Sequence, residues 1–347
     1  MKFSEQHELV QDFIEEFAEK EVEPVALSIE RESVERQLIL KMAERGYLGA
    51  LAPEELGGAN LDQVSYMLLL ELLAKRSPSL SFIVFMQNSL VLNLLGRDEM
   101  VRDVATGKQL GAVSLRVLER ANRAVPAVEH GKLRGEEELL CTAASFIIVP
   151  VAEGGEEKLA LLDKGFSLRT TRRGLGFRGA GLGLFSIDAE ENDMRIIGDG
   201  DAVRRVLLES SRHVAAIALG IAEGALEKAV AYAKQRSAFG SKLERFQPIA
   251  FDLTLSLSRI DTLREYLFRN VDGPLKEGLA AKIMLLDAAL EATRTAMQVH
   301  GGNGYFEEYG IEKYYRDAMA LNTYTSDRTE DMINLSHFIL GKESAEL

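Results

Sequence analysis

The spacing of apolar residues changes its period twice along the chain. Leu9, Val10, Phe13, Ile14 and Phe17 recur every three or four positions, which lines one face of a helix. Pro24 and a charged stretch follow. A second helix is predicted over residues 34–45, closed by Gly46. Met67, Leu68, Leu69, Leu70, Leu72 and Leu73 leave residues 65–75 no polar face, so this segment reads as a helix buried on most sides. Between them, Pro53-Glu54-Glu55-Leu56-Gly57-Gly58 reads as a turn. Past residue 110 the helical period gives way to short apolar runs at 111–115, 146–151 and 158–162, separated by glycines and charges, which is a strand-and-turn rhythm. From about residue 203 the helical period returns. Residues 214–222 are rich in Ala and Gly, suited to close helix contact, and Phe246, Ile249, Ala250, Leu253, Leu257, Ile260, Leu263 and Leu267 form one long stripe. Residues 280–299 make another. The pattern predicts an α+β, mainly α architecture. Its parts are an N-terminal helical domain (1–109), a small middle β domain (110–202) and a C-terminal helical bundle (203–347).

Composition narrows the chemistry. The 347 residues carry 41 Lys and Arg against 54 Asp and Glu, a formal charge of −13, which argues against a nucleic-acid backbone binder. One cysteine, Cys141, excludes an intramolecular disulfide framework, and five scattered histidines show no metal-ligand spacing. The N-terminus lacks the apolar core of a signal peptide. The longest apolar run, around residues 82–86, is expected to break at Gln87-Asn88-Ser89, so no membrane span is expected. The expected location is cytoplasmic.

Two segments carry candidate chemistry. Arg236-Ser237-Ala238-Phe239-Gly240, with Gln247 beyond, places an arginine and an aromatic at a helix end. The arginine can pair a phosphate and the aromatic can cover a flat ring. An ordinary helix C-terminus with a glycine cap explains the same residues. In Gln298-Val299-His300-Gly301-Gly302-Asn303-Gly304-Tyr305 two glycines stop a helix and bare backbone amides to a ligand, or simply join two helices.

Together these segments resemble the acyl-CoA dehydrogenase family of flavoproteins. Pro53-Glu54-Glu55-Leu56-Gly57-Gly58 resembles its P-E-E-Y-G-G, Leu175-Gly176-Phe177-Arg178 its L-G-x-R, and Arg236-x-x-Phe239-Gly240 with Gln247 its R-x-x-F-G…Q. Gln298-x-x-Gly301-Gly302-x-Gly304-Tyr305 and Tyr315-Arg316-Asp317 match its Q-x-x-G-G-x-G-Y and Y-R-D. The resemblance runs nearly end to end. It implies a helical domain, a β domain and a four-helix bundle, FAD as cofactor, and an acyl-CoA substrate of fatty acid metabolism. It also implies an electron-transfer flavoprotein as acceptor and a tetramer built as a dimer of dimers. In the implied reaction a glutamate takes the α-proton and the β-hydrogen leaves as hydride to FAD. Arg236, Phe239, Gln247, Gln298, Gly301 and Gly302 match residues that reach the flavin of a neighbouring subunit.

The chain departs from that pattern where its own site would lie. Thr325 stands where the family's glutamate is expected, and a hydroxyl does not titrate near neutral pH. The alternative glutamate position of some relatives holds Ser211, before Arg212. Asp327 is the nearest replacement base, with Glu209 a poorer one. The family's T-E-P-G-A-G-S-D loop is replaced by Arg116-Val117-Leu118-Glu119-Arg120. Of its flavin-covering W-I-T-N, only Thr142 remains. Arg212 and Tyr324 hold the positions the resemblance assigns to substrate. Two readings follow. One is an FAD-dependent dehydrogenase whose base is Asp327. The other is a non-catalytic partner subunit that completes the FAD site of an active homologue in a hetero-oligomer.

Overall fold

A computed structural model describes residues 3–115, 125–325 and 327–341. The replaced loop 116–120 and Ser326 lie outside the described residues.

The N-terminal helices are α1 (Glu5–Phe17), α2 (Ala26–Glu32), α3 (Arg36–Glu44), α4 (Gln63–Arg76), α5 (Pro78–Phe85), α6 (Asn93–Leu95) and α7 (Met100–Ala105). Ser4 caps α1 by accepting from His7 N at 3.2 Å, and Asp62 caps α4 by accepting from Ser65 N at 2.8 Å. Residues Val64 through Ala74 of α4 are all buried, as the absence of a polar face predicts.

The expected break after residue 86 does not occur. The chain stays helical through a wide-turned segment, Met86–Leu92, and the three polar side chains are buried inside it. Each is satisfied by a tertiary partner. Gln87 exchanges two hydrogen bonds with the Gly111 backbone (2.9 and 3.0 Å). Asn88 donates to Tyr47 O and accepts from Leu51 N. Ser89 Oγ sits 2.8 Å from Tyr66 OH and 3.0 Å from His213 Nδ1. The continuous stretch Pro78–Leu95 is, contrary to expectation, long and apolar enough to cross a membrane, but 89% of it is buried inside the protein. It is a core helix whose polar groups have internal partners.

Two four-stranded sheets follow. β1 (Gly111–Val113), β4 (Phe146–Glu153), β5 (Glu156–Leu162) and β8 (Met194–Asp199) form one, in the order β1-β4-β5-β8. β2 (Val128–Glu129), β3 (Lys132–Leu140), β7 (Leu182–Glu190) and β6 (Phe166–Arg172) form the other, in the order β2-β3-β7-β6. Among the strands of these two sheets β1 and β4 pair parallel, and the other pairs are antiparallel. The glycine-rich segment 174–183 joins β6 to β7, as the missing helical pattern predicts.

The bundle comprises α8 (Gly200–Glu209), α9 (Ser211–Gln235), α10 (Gln247–Arg269), α11 (Leu275–His300), α12 (Glu312–Tyr324) and α13 (Arg328–Leu340), with a small hairpin, β9 (Ser237–Ala238) and β10 (Ser241–Lys242), between α9 and α10. The Ala/Gly stretch of α9 faces α4. A Cβ on Gly220 would lie 2.1 Å from Glu71 O, so only glycine admits this approach.

At that crossing Glu71 is 1% exposed and receives Arg264 at 2.6 and 3.3 Å, while Glu223 lies 3.7 Å from the same guanidinium. Burial, with Glu71 beside it, pushes the Glu223 carboxyl up to about 8. The folded state therefore holds a proton there that the unfolded chain releases near its ordinary value of 4.5. A raised acid gives stability that is complete below pH 4.5 and lost as pH rises through 8. Glu223→Gln should flatten this fall, checked by thermal midpoints between pH 5 and 9. An unchanged slope would remove Glu223 as its source.

Candidate functional site

One end of the bundle gathers the two candidate segments. α9 ends at Gln235, and Arg236 N donates to Tyr232 O at 2.8 Å. α11 ends at His300, whose ring stacks on Tyr232 at 4.3 Å, and Asn303 Nδ2 donates to Tyr232 OH at 2.9 Å. Tyr232 thus ties the hairpin after α9 to the glycine turn after α11. Gly240 does not cap the helix, as the simpler expectation had it. With φ +80 it turns the β9–β10 hairpin.

The exposed groups at this end have the chemistry that the sequence suggests. Phe239 is 98% exposed, held at φ +49 with its ring edge-on to Phe246. Gln247, next to Phe246, opens α10, and Gln298 lies in the last turn of α11, both exposed. The Arg236 guanidinium has no partner among the described residues and faces solvent. A Cβ on Gly301 or on Gly302 would meet nothing within 4 Å. The glycines therefore leave open space over the backbone, where a flat or anionic group can approach.

The second locus is the end of α12. Thr325 is 5% exposed, and its hydroxyl donates to Leu321 O at 2.6 Å. It lines a cleft of about 150 Å³ together with Arg204, Arg205, Lys282 and Asp327. Lys282 is paired with Asp331 at 2.8 Å. The Asp327 carboxylate caps α13, accepting from Thr329 N at 2.9 Å and Glu330 N at 3.2 Å. An acidic residue just before a helical run is an N-cap signature, and here the side chain takes that role. Ser211, the first residue of α9, is 1% exposed and its hydroxyl has no partner among the described residues. Glu209 is exposed.

Arg212 is anchored within the chain. Its guanidinium donates to Asn270 O at 2.9 Å, Gly273 O at 2.5 Å and Pro274 O at 2.7 Å, so three of its five N–H donors close the loop between α10 and α11. Tyr324 is buried, with its hydroxyl 3.3 Å from the Cβ position of Gly174. Thr142 packs at the other end of the same glycine-rich segment, its Oγ1 2.6 Å from the Cβ position of Gly181. Thr142 and Tyr324 therefore flank one segment, whereas the six flavin-type residues gather at the hairpin end.

Sequence pattern did not single out the polar chain Gln63–His213–Ser89–Tyr66, buried from His213 to Tyr66 and reaching the surface at Gln63. Its histidine is pushed down to about 3 by burial, then by Arg212, so it stays neutral. A lone histidine in an Ala-rich helix gave no signal for it.

The chain has recognisable relatives. Residues 4–104 match the acyl-CoA dehydrogenase N-terminal domain, and residues 198–325 match the acyl-CoA dehydrogenase C-terminal domain. It is 29% identical to an acyl-CoA dehydrogenase of Bacillus subtilis (strain 168), covering 98% of this chain and 100% of that one. It is 27% identical to caffeyl-CoA reductase-Etf complex subunit CarC of Acetobacterium woodii, covering 99% and 100%. Its fold is similar to butyryl-CoA dehydrogenase from Megasphaera elsdenii, with a TM-score of 0.86 at 23% identity over 98% of this chain and 99% of that one.

Proposed function

The chain belongs to the acyl-CoA dehydrogenase family, and from that premise we propose that it serves as a partner subunit, completing the FAD site of a catalytic homologue in an oligomer that dehydrogenates acyl-CoA thioesters. One observation carries this reading. The residues that resemble neighbour-reaching flavin contacts stand open at one end of the bundle, while the two carboxylate positions hold enclosed hydroxyls, Ser211 and Thr325.

Family members are FAD-dependent, and the hairpin end fits part of that cofactor. Its donors are an unpaired guanidinium and two side-chain amides, beside a glycine backbone that leaves room for close approach, which together suit a pyrophosphate. Its exposed Phe239 suits a flat ring. FAD, when bound, supplies the hydride acceptor for α,β-dehydrogenation of the thioester.

In this reading, Arg236 pairs a phosphate, Phe239 covers a ring, Gln247 and Gln298 donate from opposite helix ends, and Gly301 and Gly302 admit close approach. Thr142 is the proposed contact from the β-sheet side. Tyr324, and Arg212 through its two remaining donors, are the proposed substrate contacts. Neither Thr325 nor Ser211 removes a proton at neutral pH, so the α-proton goes to a carboxylate on the other chain. The proposed assembly is a dimer of dimers that hands electrons to an electron-transfer flavoprotein. A second reading keeps Asp327 as a displaced base, because it lines the same cleft as Thr325.

The deciding measurement is flavin per chain. The chain purified alone should carry far less than one FAD, and should gain it when produced with a neighbouring family member. Stoichiometric FAD in the lone chain, bleached by an acyl-CoA and no longer bleached in Asp327→Asn, would establish the second reading instead.

A further inference from the structure

The Tyr315-Arg316-Asp317 motif has no part in the flavin contacts above. It sits where α12 meets the glycine-rich segment 174–183. Asp317 is fully buried and accepts from Phe177 N at 2.7 Å, with its other oxygen 3.3 Å from the buried Lys313 ammonium. Arg316 donates to Leu175 O at 2.9 Å, and a Cβ on Gly176 would stand 2.4 Å from Arg316 O. The far side of the turn is tied to the N-terminal helices. Gly179 N donates to Ser79 Oγ at 3.2 Å, Ser79 Oγ donates to Glu30 Oε1 at 2.8 Å, and Val34 N donates to Gly179 O at 3.0 Å.

Phe177 is the unusual residue in this turn. It is not glycine, yet it is held at φ +49, a conformation that strains a bulky side chain. Its ring is fully buried, stacks on Phe82 at 4.4 Å, and lies 6.4 Å from the ring of Tyr324. Strain of this kind persists only where the surroundings fix it. Among the described residues, the side chain that hydrogen-bonds the Phe177 amide is that of Asp317.

We infer that Asp317 is a positioning residue: its hydrogen bond holds Phe177 in the left-handed conformation and so sets the aromatic wall, Phe82–Phe177–Tyr324, beside the position where the family's base would stand. The inference rests on the proposed function only in taking Tyr324 as a substrate contact. Its geometry is independent of whether this chain binds FAD.

The latch has a pH signature. The charged groups facing Asp317 are Glu30 from α2 and Lys313 and Arg316 from its own helix, with the Tyr314 phenol adjacent. α5 contributes no charge, and the turn contributes the Phe177 N–H and Arg178, which pairs with Glu307 and lines the same cavity as Glu30, Lys313 and Arg316. Burial, then the Glu30 carboxylate, lifts Asp317 to about 6. Below that pH the bond to Phe177 passes from charge-assisted to neutral, which is the weaker form.

The test is amide exchange at Phe177 in the full chain without added flavin, read by hydrogen–deuterium exchange between pH 5 and 8 and corrected for intrinsic exchange. The parent should show protection that falls as pH drops through about 6. Asp317→Asn keeps an acceptor, so it should stay protected and lose the pH step. Asp317→Ala should exchange about tenfold faster or more. The chain has no tryptophan, so Phe177→Trp gives a second, optical reading of the same wall. Its emission should shift to the red in the Asp317→Ala background and not in Asp317→Asn. Parent-like protection in a folded Asp317→Ala chain overturns the inference. Should that variant fail to fold, persistence of the pH 6 step in Asp317→Asn overturns it equally. Neither result depends on flavin content, so a failure here is distinct from a failure of the partner-subunit reading.

Discussion

Replacing Arg264 by alanine should destabilise the fold by about 3–5 kcal/mol, the range for removing one partner from a buried ion pair. Its guanidinium is the direct partner of Glu71, a carboxylate that is 1% exposed where α4, α9 and α10 meet. It also lies over two aromatic rings, 5.5 Å from the centre of Phe3 and 4.9 Å from that of Phe268, which ties the N-terminal segment to the bundle. Without it, Glu71 and Glu223 face each other with Lys75 as the nearest remaining cation, and Lys75 is already paired with Glu227 at 2.7 Å. The protonation of Glu223 in the folded state softens the loss but does not remove it. The companion variant Glu71→Gln/Arg264→Met replaces both partners and should recover most of the stability, since the penalty belongs to an uncompensated charge. Urea unfolding of the three proteins decides it. A loss below about 1 kcal/mol in Arg264→Ala would match an exposed pair and contradict the burial of Glu71.

Most of the architecture was legible because burial leaves a direct trace in composition. α4 has no polar face and is buried from Val64 to Ala74, and the small residues of α9 mark a helix that another backbone approaches closely. The segment Gln87-Asn88-Ser89 was misleading for a physical reason. Three adjacent polar residues look like a loop unless their partners are known. Those partners lie on β1, on the turn at 47–51 and on α4 and α9, all distant in sequence.

The site shows the same division. The turns at Gly240 and after α11 were readable because glycine is a local signal, whereas the two-stranded hairpin around Gly240 was not. Arg212 was not readable, because its acceptors are carbonyl groups of residues 270–274, and any residue type supplies a carbonyl. Asp317 was visible as part of a motif, but only the φ of Phe177 shows what its carboxylate holds. Asp327 could have been read either as an acid near a vacant base position or as a helix cap, and its two accepted N–H groups show the capping role directly.

Arg236→Ala combined with Gly302→Val should strip flavin from the assembly while leaving this chain folded. The guanidinium has no partner within the described chain, so its loss removes no internal bond. A charge-assisted hydrogen bond contributes about 1.5–3 kcal/mol, so a bidentate pair to a phosphate approaches about 3 kcal/mol or more. Gly302 does not have the positive φ of Gly301, and a Cβ there meets nothing within 4 Å, so valine fits the backbone and projects into the space a ligand would use. Together the changes should weaken flavin binding about 100-fold, at about 1.4 kcal/mol per factor of ten. Stability should stay within about 0.5 kcal/mol, as for exposed sites that make no internal contact. Flavin content of the assembly with its homologous partner and the thermal midpoint of this chain are the paired readouts. Loss of flavin with an unchanged midpoint places the hairpin end on the cofactor. Full flavin retention would mean that this end of the bundle faces something other than the cofactor, and the exposed Phe239 would then have to be explained by protein contact alone.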